Sequence, residues 1–244
     1  MNRRARLAVT ALLSLVVLSS CAAAPGASNS GQEATSPTTA YPVLLVPGWE
    51  FGCTANPTDW DKWRAAFVGR GLPASQFVVF RYNSCQPNLL TAQMIGTEVQ
   101  QLLDHSGAKK VTLIAHSMGS IPTRWCIKFA TCVGKVAELV TVAGANHGTI
   151  WASACALQFW AASCVDMKPD SPMLRALNTD ESLDGVEVET WVSPCELAIL
   201  PRESAFLEGA TNHDLVNECV DHSGWKEFAP TIEVVAQRLV PISR

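Results

Sequence analysis

The chain has 244 residues, 48% hydrophobic and 16% charged, which is material for one sizeable core, and a single catalytic or binding domain is the expected organisation. Its formal net charge is −4 and there is no basic block after the first six residues, which argues against a nucleic-acid partner. Nine cysteines without a Cys-x-x-Cys pair point away from a metal knuckle, and no metal or organic cofactor is implied.

The N-terminus reads as an export signal. Arg3, Arg4 and Arg6 form a positive region, and Leu7 to Leu18 is an apolar run too short for a membrane span. Leu18-Ser19-Ser20-Cys21 resembles a bacterial lipobox. Residues 1–20 are then a signal peptide and Cys21 is the lipidated first residue of the mature protein. The alternative is an ordinary signal peptide cut near Ala22-Ala23-Ala24. Lipid on Cys21 makes the expected product an exported cell-surface lipoprotein, with stable anchoring needing more than one acyl chain. Residues 21–40 are rich in Ala, Ser, Thr, Gly and Pro and read as a disordered tether with a reach of roughly 25 Å. Residues 41–244 read as the catalytic domain.

Removing Cys21 leaves eight cysteines, an even set that implies disulfides in an exported protein. Sequential pairing closes the shortest loops: Cys53 with Cys85, Cys126 with Cys132, Cys155 with Cys164 and Cys195 with Cys219. Eight cysteines allow 105 connectivities, so the pattern is an expectation and not a derivation.

From Tyr41 onward the pattern alternates. Tyr41 to Val46 is a buried strand broken by Pro47-Gly48-Trp49. Asn56 to Gly69 reads as a helix with Trp60, Trp63 and Phe67 on one face. Gln76 to Phe80 is a second strand, and Leu89 to His105 a second helix stopped by Gly107. Val111 to Ala115 is a third strand; Val136 to Val142, Glu187 to Val192 and Thr211 to Val216 are further strands, and Pro230 to Leu239 is the last helix. Strands alternating with helices predict an α/β fold with a mostly parallel sheet and helices on both faces. Ligands bind such sheets outside the carboxyl ends of the strands.

The third strand ends abruptly in Ala115-His116-Ser117-Met118-Gly119, ahead of a helix-compatible stretch with Pro122 near its first turn. Strand, tight turn with a serine at its apex, then helix is the geometry of a nucleophile elbow. Ala115 stands in place of the first glycine of G-x-S-x-G. Ser117 is the candidate nucleophile. Of five histidines, His105 ends a helix, His116 adjoins the serine and should point away from it, and His213 sits in a strand. His147 is the rival and His222 the candidate base, because the order Ser, acid, His leaves room for an acid only ahead of His222. Glu196, after the strand ending at Val192, is the candidate acid, and a disulfide from Cys195 to Cys219 would hold it against His222. The Met118 N–H and the Trp49 N–H are the candidate oxyanion donors.

These motifs resemble those of the small secreted lipases of the α/β-hydrolase superfamily, the bacterial class 2 type and the lipase B group. The matching residues are Pro42 to Gly48, Ala115 to Gly119, His147-Gly148-Thr149, Ser193 to Glu196 and Asp221 to Gly224. The resemblance implies Ser117 as nucleophile, His222 as base, Glu196 as acid, and Trp49 and Met118 as oxyanion donors. Glu196 stands where Asp is more usual, and Trp49 where a small or hydroxylated residue is common. The expected reaction is cleavage of carboxylic esters, as a triacylglycerol lipase or lipid carboxylesterase, by a monomer. The apolar run Ile150 to Val165, with Trp151, Phe159 and Trp160, is expected to wall the acyl pocket or form a small lid. Transfer of an acyl group to a cell-envelope acceptor, or lipid binding without catalysis, are the alternatives.

Overall fold

The computed structural model describes residues 40–241. The signal-peptide reading of residues 1–20, the lipidation of Cys21 and the tether up to residue 39 lie outside the described residues.

The elements in chain order are β1 (Val43–Val46), α1 (Asp61–Gly69), β2 (Phe77–Val79), α2 (Asn88–Ser106), β3 (Val111–His116), α3 (Ser120–Phe129), β4 (Val136–Val142), α4 (Ala152–Phe159), α5 (Ala162–Asp166), α6 (Pro172–Asn178), β5 (Glu187–Val192), β6 (Thr211–Asp214) and α7 (Ala229–Leu239). The strands form one sheet in the order β2-β1-β3-β4-β5-β6, and every pairing is parallel. This is the α/β-hydrolase arrangement. The central strands β1 and β3 are buried along their whole length, as continuous apolar runs covered on both faces should be.

Two apolar cores cover the two faces. One gathers Trp63 and Phe67 of α1 with Ile232, Val235 and Ala236 of α7, and adds Trp225. The other gathers Ile95 and Val99 of α2, Ile121 of α3, and Leu174 and Leu177 of α6. The chain runs outward from β1 to β2 and then returns to β3 on the other side of β1. That reversal opens a crevice at the carboxyl ends of β1 and β3, where ligands bind in open α/β sheets.

Three elements differ from the sequence reading. Strand β6 stops at Asp214, and Val216 turns back to donate its N–H to the Asp214 carbonyl. The run 150–165 is two helices, because Trp160 takes a left-handed φ of 53° between them. Helix α6 was not anticipated. Ser171 caps it by accepting from the Leu174 N–H at 3.2 Å, Pro172 opens it, and Met173, Leu174 and Leu177 bury its inner face. The four disulfides are Cys53–Cys85, Cys126–Cys132, Cys155–Cys164 and Cys195–Cys219, the sequential pattern.

Candidate functional site

The elbow follows from close packing at the crevice. Ser117 has a φ of 55°, a left-handed conformation that a side chain adopts only where its surroundings enforce it. A Cβ on Gly119 would lie 2.5 Å from the Pro47 carbonyl oxygen and 2.6 Å from that of Val46. Only glycine lets the elbow pass so close to β1. A Cβ on Gly48 would lie 2.6 Å from the Ser117 Cβ, so the loop after β1 also approaches Ser117 at glycine distance. Ala115 is fully buried, between Val46 of β1 and Thr141 of β4 in register; its methyl is accommodated where the motif usually carries glycine. Helix α3 starts three residues after Ser117, so its N-terminal end faces the crevice and favours negative charge there.

Ser117, His222 and Glu196 meet in a line. His222 Nε2 accepts from the Ser117 hydroxyl at 2.8 Å. His222 Nδ1 donates to Glu196, 2.9 Å from each carboxylate oxygen. Glu196 is buried, and its Oε1 also accepts the N–H groups of Ala198 at 2.8 Å and Ile199 at 2.9 Å. Burial opposes its ionisation, but the hydrogen bond and charge of His222 and these two N–H groups outweigh it and hold the pKa below the usual glutamate value. The acid and histidine loops are tied twice. The Cys195–Cys219 disulfide joins them, and Ser193 Oγ accepts from the Val220 N–H at 2.8 Å.

The loop after β1 is braced from three sides. Tyr82 donates its hydroxyl to the Pro47 carbonyl at 2.7 Å and approaches that of Gly48 at 3.3 Å. The Glu50 N–H donates to Ser84 Oγ at 3.1 Å, and Lys226 donates to Glu50 Oε1 at 2.8 Å and to Asp59 Oδ2 at 3.1 Å. The Cys53–Cys85 disulfide closes the loop's far end.

Above Ser117 and His222 lies a cavity of about 460 Å³ walled by Trp49, Phe51, Trp151, Phe159, Met167 and Ile199. Phe159 packs 5.0 Å from Trp49 and 5.5 Å from Phe51, ring centre to ring centre. Of the aromatic residues expected to contact substrate, Trp151 and Phe159 line this cavity and Trp160 does not. Trp160 is 91% exposed, turned out by its left-handed backbone. A larger concavity of about 590 Å³ lies beside Asp180, Glu181 and Glu208, and neither Ser117 nor His222 lines it.

The remaining histidines are otherwise engaged. His147 pairs with Glu181 at 2.5 Å, His213 stacks on Trp191 at 3.8 Å, and His105 Nδ1 bonds the Gln101 carbonyl at 2.8 Å. His116 does point away from Ser117, as read from the sequence, but its ring reaches the histidine loop, which that reading missed. Tyr82 and Lys226 were missed as well. Their contacts join segments far apart in the chain, and the residue types alone carry no signal of them. Among the described residues no group of three or more His, Cys, Asp or Glu is placed to hold a metal ion. The arrangement has the parts for one chemistry: a hydroxyl that can be deprotonated by a held imidazole, beside an apolar cleft.

Residues 41–212 match the family model described as Lipase (class 2). Among solved structures, the chain is similar to Aspergillus fumigatus lipase B, with a TM-score of 0.66 at 17% identity over 84% of this chain. It spans 53% of that protein's length, about half. It is also similar to mature Bacillus licheniformis lipase BlEst2, with a TM-score of 0.65 at 14% identity over 84% of this chain and 94% of that one. A metagenomic carboxyl esterase, MGS0156, gives a TM-score of 0.63 at 15% identity, over 83% of this chain and 76% of that one.

Proposed function

The chain belongs to the class 2 lipase family, whose members cleave carboxylic esters, and we propose that it hydrolyses lipid-like acyl esters through an acyl-enzyme formed on Ser117. The observation that carries this reading is the hydrogen-bonded line Ser117–His222–Glu196 at the base of an apolar cavity. In this mechanism Ser117 Oγ attacks the ester carbonyl while His222 Nε2 takes the hydroxyl proton. The tetrahedral oxyanion is held by the main-chain N–H groups of Trp49 and Met118, at the N-terminal end of α3. His222 then returns the proton to the leaving alcohol. Water repeats the sequence on the acyl-enzyme and releases the acid. Glu196 keeps the imidazole in the tautomer with hydrogen on Nδ1 and balances the imidazolium. Trp151 and Phe159 contact the acyl chain.

The test is turnover of p-nitrophenyl esters of increasing chain length by the wild type and by Ser117→Ala. The expected result is loss of roughly 10⁶-fold in kcat for the variant. Equal turnover by both proteins would refute the reading, and turnover that needs an added acyl acceptor would reassign the protein to acyl transfer.

We also propose that the protein works outside the cytoplasm. Four disulfides support this, since they fit an oxidising compartment. We extend the proposal to lipid anchoring at Cys21. Cys21→Ser should then move the protein from the detergent phase to the aqueous phase in a detergent partition, and an unchanged partition would refute the anchor.

A further inference from the structure

We propose that His116 is a positioning residue: its Nε2–H holds the main-chain carbonyl of His222 and thereby sets where the His222 ring meets Ser117. This rests on the ester-hydrolase reading above. His116 is the last residue of β3, next to Ser117, and is 4% exposed. Its Nε2 lies 2.9 Å from the His222 carbonyl oxygen. Its ring packs 4.7 Å from the His222 ring and 5.3 Å from that of Trp60.

The need for such a prop follows from the loop. His222 belongs to no helix or strand; the nearest regular structure is the turn Gly224–Lys226. Val220 is pinned by Ser193, and Asp221 Oδ1 accepts from the Gly224 N–H at 2.7 Å. The Gly224 N–H also donates to the Asp221 carbonyl at 3.1 Å, closing a turn around His222, but none of these contacts reaches the His222 carbonyl. Among the described residues, His116 is the sole donor to the His222 carbonyl. The contact is partly buried, so losing the donor would leave this carbonyl poorly satisfied, and the hydrogen bond adds a restraint that the turn alone does not supply.

Histidine suits the position for three reasons. It supplies a donor at the required reach. It is flat enough to lie between two rings. It also stays uncharged: burial, then the neighbouring His222 and Lys226, push its pKa well below the ordinary value, against the opposing effect of the carbonyl. With hydrogen on Nε2, its Nδ1 is left buried without a partner. A cation here would face Lys226 and, during turnover, the imidazolium of His222. Because His116 and Ser117 are consecutive, one strand end carries both the nucleophile and the prop for its base. A shift of the histidine loop against the sheet is then resisted at the point that controls the Ser117–His222 distance.

The experiment compares His116→Gln, His116→Asn and His116→Phe with the wild type. The glutamine amide nitrogen reaches as far as the histidine Nε2; the asparagine amide does not. The readouts are kcat and KM on p-nitrophenyl butyrate, the rate of Ser117 labelling by an alkyl phosphonate, and Tm. The expected result is a fall in kcat on the order of 10²-fold for Asn and Phe, with KM little changed and labelling slowed in parallel. Glutamine should restore most of the rate, whatever the variants do to Tm. Wild-type kcat in His116→Asn, equal impairment of Gln and Asn, or a loss confined to KM would overturn the inference. Should the wild type itself show no Ser117-dependent turnover or labelling, the ester-hydrolase reading falls and takes this inference with it.

Discussion

Glu196 is the residue whose substitution separates orientation from charge at this site. Glu196→Gln keeps the shape and can present an amide to His222, but it no longer selects the tautomer with hydrogen on Nδ1. The expected cost is roughly 10⁴-fold in kcat, read from initial rates on a soluble ester; near-wild-type activity would move the acid elsewhere. Glu196 also links stability to pH. Its pKa is depressed in the folded protein, so its contribution is fully present above the unfolded glutamate pKa of about 4.3 and is lost as pH falls through the lower folded value. Tm measured from pH 5 downward should therefore fall more steeply in the wild type than in Glu196→Gln. Gly48 makes a different demand. An alanine there places a methyl 2.6 Å from the Ser117 Cβ, so either Ser117 or the loop after β1 must move. Activity should drop more than stability, which overpacking of this kind lowers by about 1–3 kcal/mol. That Ser117, His222 and Glu196 come together could be read from the sequence because each sits in a loop at the carboxyl end of a strand, in the order the fold requires. The contact of His116 with the His222 carbonyl could not, since the two residues are 106 positions apart and nothing local to either marks it. Trp160 was expected to face the substrate with Trp151 and Phe159, but its left-handed φ turns it outward, and nothing in the apolar run marks that break.

Among the elements, strand order and disulfide placement decide how firmly the loops are held. Cys195–Cys219 closes a separation of 24 residues and joins the loops that carry Glu196 and His222; Cys126–Cys132 closes only 6, at the far end of α3. Loop-closure entropy assigns the longer bridge about 3.5 kcal/mol and the shorter about 2.4 kcal/mol. Replacing either pair by serine should lower Tm, with the larger drop for Cys195/Cys219. Only that variant should also lose kcat when assayed well below its Tm; unaltered kcat would show that Ser193 and Val220 suffice to hold the loops together. Tyr82 braces the loop after β1 at the carbonyls of Pro47 and Gly48. Since the Gly48 carbonyl and the Trp49 N–H belong to one planar peptide, Tyr82→Phe should weaken the proposed oxyanion donor, costing less than the roughly 3 kcal/mol of losing one outright. The strands of the sheet and the long helix α2 were legible because their apolar runs or helical periods are long enough to stand out. Helix α6 spans seven residues and shows less than two turns of pattern, although its capping Ser171 and Pro172 were visible signs. The break within 150–165 was hidden because a mostly apolar, uncharged run carries little period.

At the scale of the whole molecule, the sheet's reversal between β1 and β3 puts the elbow and the oxyanion loop at one crevice, and the apolar surface gathers around its mouth. Phe51 is 81% exposed, Leu157 79%, Leu197 71% and Trp160 91%. They belong to the oxyanion loop, α4, the acid loop and the end of α4, the same segments that wall the cavity. No charged residue occurs from Ile150 to Val165. Exposed apolar groups concentrated at the entrance of an apolar site mark a surface that meets apolar material. In the ester-hydrolase reading that material is the aggregated substrate. The wall itself is held in place: Ala162 donates its N–H to the Cys85 carbonyl at 3.0 Å, Ser163 Oγ donates to that of Ser84 at 2.6 Å, and Cys155–Cys164 joins α4 to α5. Phe51 is itself part of the wall, but Leu157, Trp160 and Leu197 are not and can be changed without reshaping the cavity. The triple variant Leu157→Ser, Trp160→Ser, Leu197→Ser should keep kcat/KM on dissolved p-nitrophenyl acetate within a few-fold of the wild type, because none of these side chains lines the cavity above Ser117. On emulsified long-chain triacylglycerol its rate should fall, since each large side chain denied burial forfeits about 1.5–3 kcal/mol of adsorption. Equal loss on both substrates would mean that the rim shapes the acyl pocket, and no loss on either would mean that the substrate reaches Ser117 as a dissolved monomer.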